Sequence, residues 1–333
     1  MKLQKLILIS ALFFVLSCTE DCFVPEFTDI PISFSSGIEV ASRGQSLENL
    51  EDRYFGVRGY IYDTRWDSEE ALAKPDPAWL NTEVHCSNLG ECTYSSVQRW
   101  QFNKNYAFFA YYPFTARSQG TVTLSPDSAM KAPVMTYTMH KSALTDAGKM
   151  YDVMYANKID ANVTDNPTVN FHFRHCMSAI QLVIENLNEE PVQVSDLELK
   201  MFIRYKSVDI PLNGNPVTRH EYLHKPAQET NARYVFVNNG NPVTIPSTLN
   251  KPYFDISRGN HILFIPQKGT TMQLRYRKKP TDAYSVVNRE FRDKEFKPGR
   301  RYIVSLQFVG QTVNVLLIDP EGWVDKNNDV EFE

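Results

Sequence analysis

The 333-residue sequence predicts an all-β protein: two β-sandwich domains in tandem with sparse helix. Three observations carry that prediction. Short alternating runs of apolar and polar residues recur between turn residues, roughly every eight to twelve positions, as sandwich strands do. No apolar pattern of helical period persists beyond about two or three turns. The chain also holds 17 Tyr, 20 Phe and 19 Pro against 14 Gly, a balance that suits strands, edges and turns.

At the N-terminus Lys2 and Lys5 precede an apolar run from Leu6 to Leu16, closed by Ser17-Cys18. A run of that length suits the h-region of a signal peptide and falls short of the roughly 17–25 residues that cross a bilayer. Ser17 before Cys18, with Val15 upstream, resembles the lipobox of bacterial lipoproteins. Signal cleavage between Ser17 and Cys18 would leave Cys18 as an acylated N-terminus. Two or more buried chains, at ~0.8 kcal/mol per CH₂, hold a protein on a membrane. An ordinary secretory signal with a chance cysteine is the alternative. Residues 1–17 are read as the signal and 18–30, acidic and Pro-containing, as a tether. The roughly 315 residues beyond Cys18 exceed one comfortable core, since domains usually run ~100–200 residues. A net charge of −4 and a pI near 6.0 exclude an electrostatic footprint for nucleic acid.

The strands follow in order. Ile30 to Ser36 alternates and reads as half-buried; Ser46 to Arg53, with Leu47 and Leu50, suits one or two helical turns. Tyr54 to Tyr62 is a strand whose glycines allow a bulge or a close backbone approach. Trp100 to Asn103 and then Tyr106 to Phe114 give the strongest strand signal, ended by Pro113. The pattern weakens between Asp127 and Asp165, with a helical turn near Leu144. Val169 to His175 alternates and runs on into Ile180 to Ile184. Asn186 to Pro191 breaks the pattern and places the domain boundary, giving an N-terminal sandwich over 31–188 and a C-terminal one over 189–333. In the second half Val194–Leu199, Met201–Tyr205, Tyr234–Val237, His261–Ile265, Met272–Tyr276, Phe291–Phe296, Tyr302–Phe308 and Val313–Ile318 read as strands.

Among the cysteines, Cys86 and Cys92 bracket a polar, Gly-containing stretch, where an exported protein could close a hairpin with a disulfide. Zinc would need further Cys or His at close spacing, and only His85 is near. Cys176 sits in a strand-like run as a small buried hydrophobe, and Cys22 has no evident role. His172 and His175 form H-x-x-H. At a strand's period of two they face opposite ways and cannot share a metal. No nucleophile elbow, metalloprotease helix motif or phosphate loop occurs, so no catalytic residue, metal or cofactor is assigned. Asp325 to Asp329 reads as a polar turn, because it lacks the spacing of a calcium loop. The aromatics at 106–114 could offer a sugar-stacking platform, although alternation commits half of them to the core. Asn162-Val-Thr164 fits the N-glycosylation pattern, and Asp127-Ser-Ala129 resembles an O-glycosylation motif of Bacteroidetes.

Taken in order, several segments resemble the fimbrillin lipoproteins (type V pilus subunits) of Bacteroidales. They are Cys18, Ile32-Ser-Phe-Ser with Ser42-Arg43-Gly44, Tyr54 to Tyr62, and Trp100 to Pro113 with Tyr151 to Ala156 and Val169 to Ile180. Phe296-Lys-Pro-Gly-Arg-Arg-Tyr302 with Gly322-Trp323 completes the set. The resemblance implies two transthyretin-like β-sandwich domains and no enzymatic activity. It implies export to the outer membrane as a surface-exposed lipoprotein, and assembly with other fimbrial subunits by β-strand exchange, as shaft, anchor or accessory subunit. In shaft subunits an arginine-specific protease removes the first strand and a partner's strand fills the groove. Here that strand would be Ile30 to Val40, cut between Arg43 and Gly44, with Arg53 a second choice and a solvated loop arginine the plain alternative. The tail Val330 to Glu333 is too slight to decide a donor role. A surface glycan-binding lipoprotein is the competing function.

Overall fold

Strand occupies most of the stretches where alternation occurs. The computed structural model describes residues 30–38, 52–66, 74–87, 91–126, 132–213, 223–224, 229–238, 240–250 and 253–318. Among these the only helical segments that the backbone forms are 3-10 turns of three or four residues, one of them at Lys141–Leu144, where the sequence predicts a helical turn. The expected turns at 46–53 fall largely outside the described residues.

The first eleven strands are β1 (Ser33–Ile38), β2 (Arg53–Tyr62), β3 (Lys74–Pro75), β4 (Thr82–Cys86), β5 (Cys92–Tyr94), β6 (Asn105–Tyr112), β7 (Val122–Leu124), β8 (Val134–Thr138), β9 (Met154–Ala161), β10 (Thr168–His175) and β11 (Ser178–Asn186). Seven of them join edge to edge in the order β2-β4-β5-β1-β10-β9-β6, and β6 pairs again with β2, so the layer closes on itself. The link between β5 and β1 is a single residue pair, Phe34 with Cys92. All pairings in this ring are antiparallel except β1 with β10, which runs parallel in register from Ser33 opposite Thr168 to Ile38 opposite Phe173.

Strand β6 is buried on both faces. Tyr106, Phe108 and Ala110 point into one apolar cluster, inside the ring with Phe34, Val57, Trp79 and Phe171. Ala107, Phe109 and Tyr111 point into a second cluster shared with β8, β11 and the strands beyond. Alternation therefore serves two cores at once. The β2 glycines provide close approach, not a bulge: a Cβ on Gly59 would lie 2.8 Å from Trp79 Cβ, and one on Gly56 would collide with the Tyr111 ring.

Several boundaries differ from expectation. Trp100 to Asn103 is not strand, although Trp100 is buried. The run from Val169 to Ile184 divides at Cys176-Met177, and its halves join different sheets. Val194 to Tyr205 contains one longer strand, Asp196–Ile203, and the strand expected at Phe291–Phe296 is a turn between Ser285–Glu290 and Glu295–Phe296. Strand β11 pairs in parallel with Arg301–Val309, which also carries Thr312–Ile318. A facing sheet has the order Thr230–Val237, Asp196–Ile203, Thr271–Arg277, Ser285–Glu290. Two ladders cross residue 188: β11 with the C-terminal strands, and β8 with Ser207–Pro211.

Candidate functional site

The first strand is the feature that the ring positions most unusually. Ile32 and Phe34 are 2% and 4% exposed, and their side chains enter the inner cluster. Phe34 stacks with Phe171 at 5.4 Å between ring centres and meets Trp79 and Phe108 edge-on at 5.3 and 5.6 Å. Burying two such side chains stabilises by about 3–6 kcal/mol together. Along one edge β10 supplies the ladder, reinforced by Ser33 with Thr168 at 2.8 Å and by Ser35 with Asn170. Along the other edge the 98–100 segment completes the pairing, with Ile32 N donating to Gln98 O at 2.8 Å and Trp100 N to Ile30 O at 3.0 Å.

Tyr94 closes this side. Its hydroxyl donates to Ile32 O at 2.6 Å and accepts from Gln98 N at 3.2 Å. Burial pushes its pKa up, with the Gln98 backbone and Arg99 pulling the other way, so it remains a neutral donor. Cys86 and Cys92 stand directly opposite one another across β4 and β5 and are bonded as a disulfide, with Ser36 Oγ 3.4 Å from Cys86 Sγ. The bridge thus ties together the wall against which β1 lies. Chemically, the arrangement is a six-residue strand anchored by Phe34, with Ile32 immediately before it as a second apolar anchor, seated between the edge of β10 and a wall made by β5 and the 98–100 segment.

Ser17, Cys18, Cys22, Arg43, Gly44, Asp127 to Ala129, Asp325 to Asp329 and the tail at 330–333 lie outside the described residues. Arg53 is the first residue of β2 and is paired opposite Cys86, so its peptide bond to Tyr54 sits in a ladder and makes a poor protease substrate. His172 is exposed and His175 buried against Asp152 at 2.9 Å; the two point to opposite faces. Among the described residues no group of three or more His, Cys, Asp or Glu could hold a metal. Asn162 Oδ1 accepts from Thr164 N, Thr164 Oγ1 and Asp165 N, which makes it the organiser of a turn. Tyr106, Phe108, Phe109 and Tyr111 are all buried, so they offer no sugar platform; burial pushes Tyr106 up to about 12.

Sequence reasoning missed Trp79, Tyr94 and Gln98, which hold β1. Trp79 lies in a 3-10 turn and Gln98 in irregular chain, where no periodicity marks an inward residue.

The fimbrillin-like family model matches residues 66–323. Among solved structures, the chain is similar to a candidate cell adhesion protein from Bacteroides ovatus, with 14% identity and a TM-score of 0.52 over 88% of this chain and 98% of the other. It is equally similar to one from Bacteroides uniformis, with 15% identity and a TM-score of 0.51 over 89% and 98%. At these identities the likeness concerns the fold. No curated protein sequence matches the chain.

Proposed function

The chain belongs to the fimbrillin-like family, and from that premise we propose that it is a non-enzymatic fimbrial subunit that assembles by exchanging its first strand. The observation that carries this reading is β1 itself: the first described strand of the chain, parallel to β10, filling with Phe34, and with Ile32 just before it, a groove between β10 and the wall of β5 and residues 98–100. Cys18 would be acylated after signal cleavage and deliver the protein to the outer membrane. A cut between Arg43 and Gly44 by an arginine-specific protease would separate β1 covalently from the body. Main-chain hydrogen bonds on both sides of the vacated groove then favour a partner's strand, and pockets for alternate side chains select it. Left uncut, the same chain is suited to an anchor role.

The test treats purified full-length precursor with an arginine-specific protease, with N-terminal mass spectrometry and native gels as readouts. The expected product begins at Gly44 and forms an oligomer ladder. Trimming at Gly44 with the protein remaining monomeric would overturn the shaft role and leave the anchor. Mass spectrometry of the mature protein from cells tests acylation of Cys18.

A further inference from the structure

Ile32, Phe34 and Ser36 are the inward positions of the first strand, by its period of two. The first two are buried in the inner cluster, whereas the third lies over the Cys86–Cys92 bridge. Ser36 Oγ is 3.4 Å from Cys86 Sγ and 3.9 Å from Cys92 Sγ. Among the described residues those sulfurs are the only partners of this hydroxyl, and sulfur accepts weakly. Cys86 is 1% exposed and belongs to the inner cluster, against which Cys92 packs. The floor under the third position is therefore apolar, while the half-buried side chain above it is polar.

The strand is also held unevenly along its length. Its N-terminal half is paired on both sides. Ser33 and Phe34 lie in register with β10, Phe34 also stands opposite Cys92, and the 98–100 segment bonds to Ile30 and Ile32. Tyr94 adds its hydroxyl at Ile32 O. From Ser35 to Ile38 the ladder with β10 continues, but among the described residues no second segment pairs along the other side. Packing is loose there too: a Cβ on Gly37 would find nothing nearer than His172 Nδ1 at 3.9 Å. Two seams and two apolar anchors thus hold residues 30–34, and one seam with a hydroxyl over sulfur holds 35–38. Local opening starts where such contacts are fewest. It bares the Phe171–Phe173 edge of β10 and the disulfide together, at the end of β1 that leads in sequence toward Arg43.

We propose that strand exchange begins at this end, with the third inward position as its toehold. The displacing strand comes from another subunit and places an apolar side chain, of valine or isoleucine size, over Cys86–Cys92 where β1 has Ser36. At its outward positions it keeps small hydroxyls, as Ser33 and Ser35 do toward Thr168 and Asn170. The inference rests on the strand-exchange reading and names the chemistry of the strand that reading calls for. Apolar burial at the toehold gives the newcomer a contact that β1 lacks, before the two compete for the Phe34 pocket.

Amide exchange followed by NMR on the uncut full chain reads the order of opening. Ile32 N points to the 98–100 wall, so by alternation the amides of Ser33, Ser35 and Gly37 point to β10. Gly37 should have a protection factor at least 10-fold below that of Ser33. Equal protection, or earlier opening at Ser33, would overturn the toehold. A second measurement adds fluorescein-labelled peptides of residues 30–38 to protease-treated protein. They are the native sequence, its Ser36→Val variant, and Ser35→Val as an outward control of equal hydrophobicity. The Ser36→Val peptide should enter at least 10-fold faster than the other two, at a rate that rises with its concentration. Equal rates for all three, slower entry of Ser36→Val, or a rate independent of concentration would each strike the toehold and leave strand exchange standing. Failure of every peptide to enter would overturn the strand-exchange reading, and the toehold with it.

Discussion

Phe34 contributes more to the placement of β1 than any other single side chain, through contacts with Trp79, Tyr94, Phe108 and Phe171. Phe34→Ala leaves a cavity among rigid rings that cannot collapse, and unfolding free energy should fall by about 3–5 kcal/mol. Urea titration monitored by Trp fluorescence measures it; an unchanged midpoint would remove Phe34 from the anchoring role. Cys176 makes a different point. Burial, with Asp152 nearby, pushes its thiol well above the ordinary range, so it stays protonated and shielded. Iodoacetamide at mildly alkaline pH should leave Cys176 unlabelled in the native protein and label it in denaturant, as read by peptide mass spectrometry. Its inward placement was apparent from the strand-like run around it. The same could not be done for Tyr94 or Trp79, because a lone aromatic beside a turn has the same sequence signature whether it faces core or water.

At the level of elements, period-two alternation located β2, β6, β10 and the strands near 272 and 302 because each has at least one strongly apolar face. It failed at Ser207–Pro211 and Ser285–Glu290. The second of these is an exposed edge strand whose outer residues carry no apolar stripe, so only its neighbour's hydrogen bonds define it. It also failed to divide β10 from β11, since buried residues run continuously from His175 to Asn186. The β4–β5 hairpin can be tested directly. The Cys86–Cys92 bridge closes a short loop, so replacing both residues by Ser should cost roughly 2 kcal/mol through chain entropy. Because β5 flanks β1, hydrogen exchange at Phe34 and at position 92 should rise most; a uniform increase across the chain would argue against local coupling.

At the scale of the whole molecule, composition and strand spacing were enough for the all-β class, but not for how sheets recruit strands distant in sequence. Strand β11 lies before the expected boundary at 188, yet its ladder partners lie beyond 253. A fragment of residues 189–333 lacks that strand, and a fragment of 178–333 restores it. The shorter piece should be unfolded by circular dichroism, whereas the longer one recovers at least part of the native sheet signal; equal folding of both would show β11 to be dispensable. No local pattern could announce this, because parallel pairing across more than a hundred residues leaves no mark in either segment alone.

The closure of the N-terminal ring has a consequence for timing. A closed layer has no raw strand edge to offer a neighbour, so a ring with β1 in place is inert toward strand-by-strand aggregation. Withdrawing β1 opens the ring at two seams at once, along β10 and along the 92–100 wall. Under the proposed strand exchange, an arriving strand that satisfied one seam would leave the other unpaired, and that residual cost would reject most candidates. Fidelity of joining would then reside in the number of seams rather than in any one contact, and the closed ring would act as a safety catch for as long as β1 stays in place.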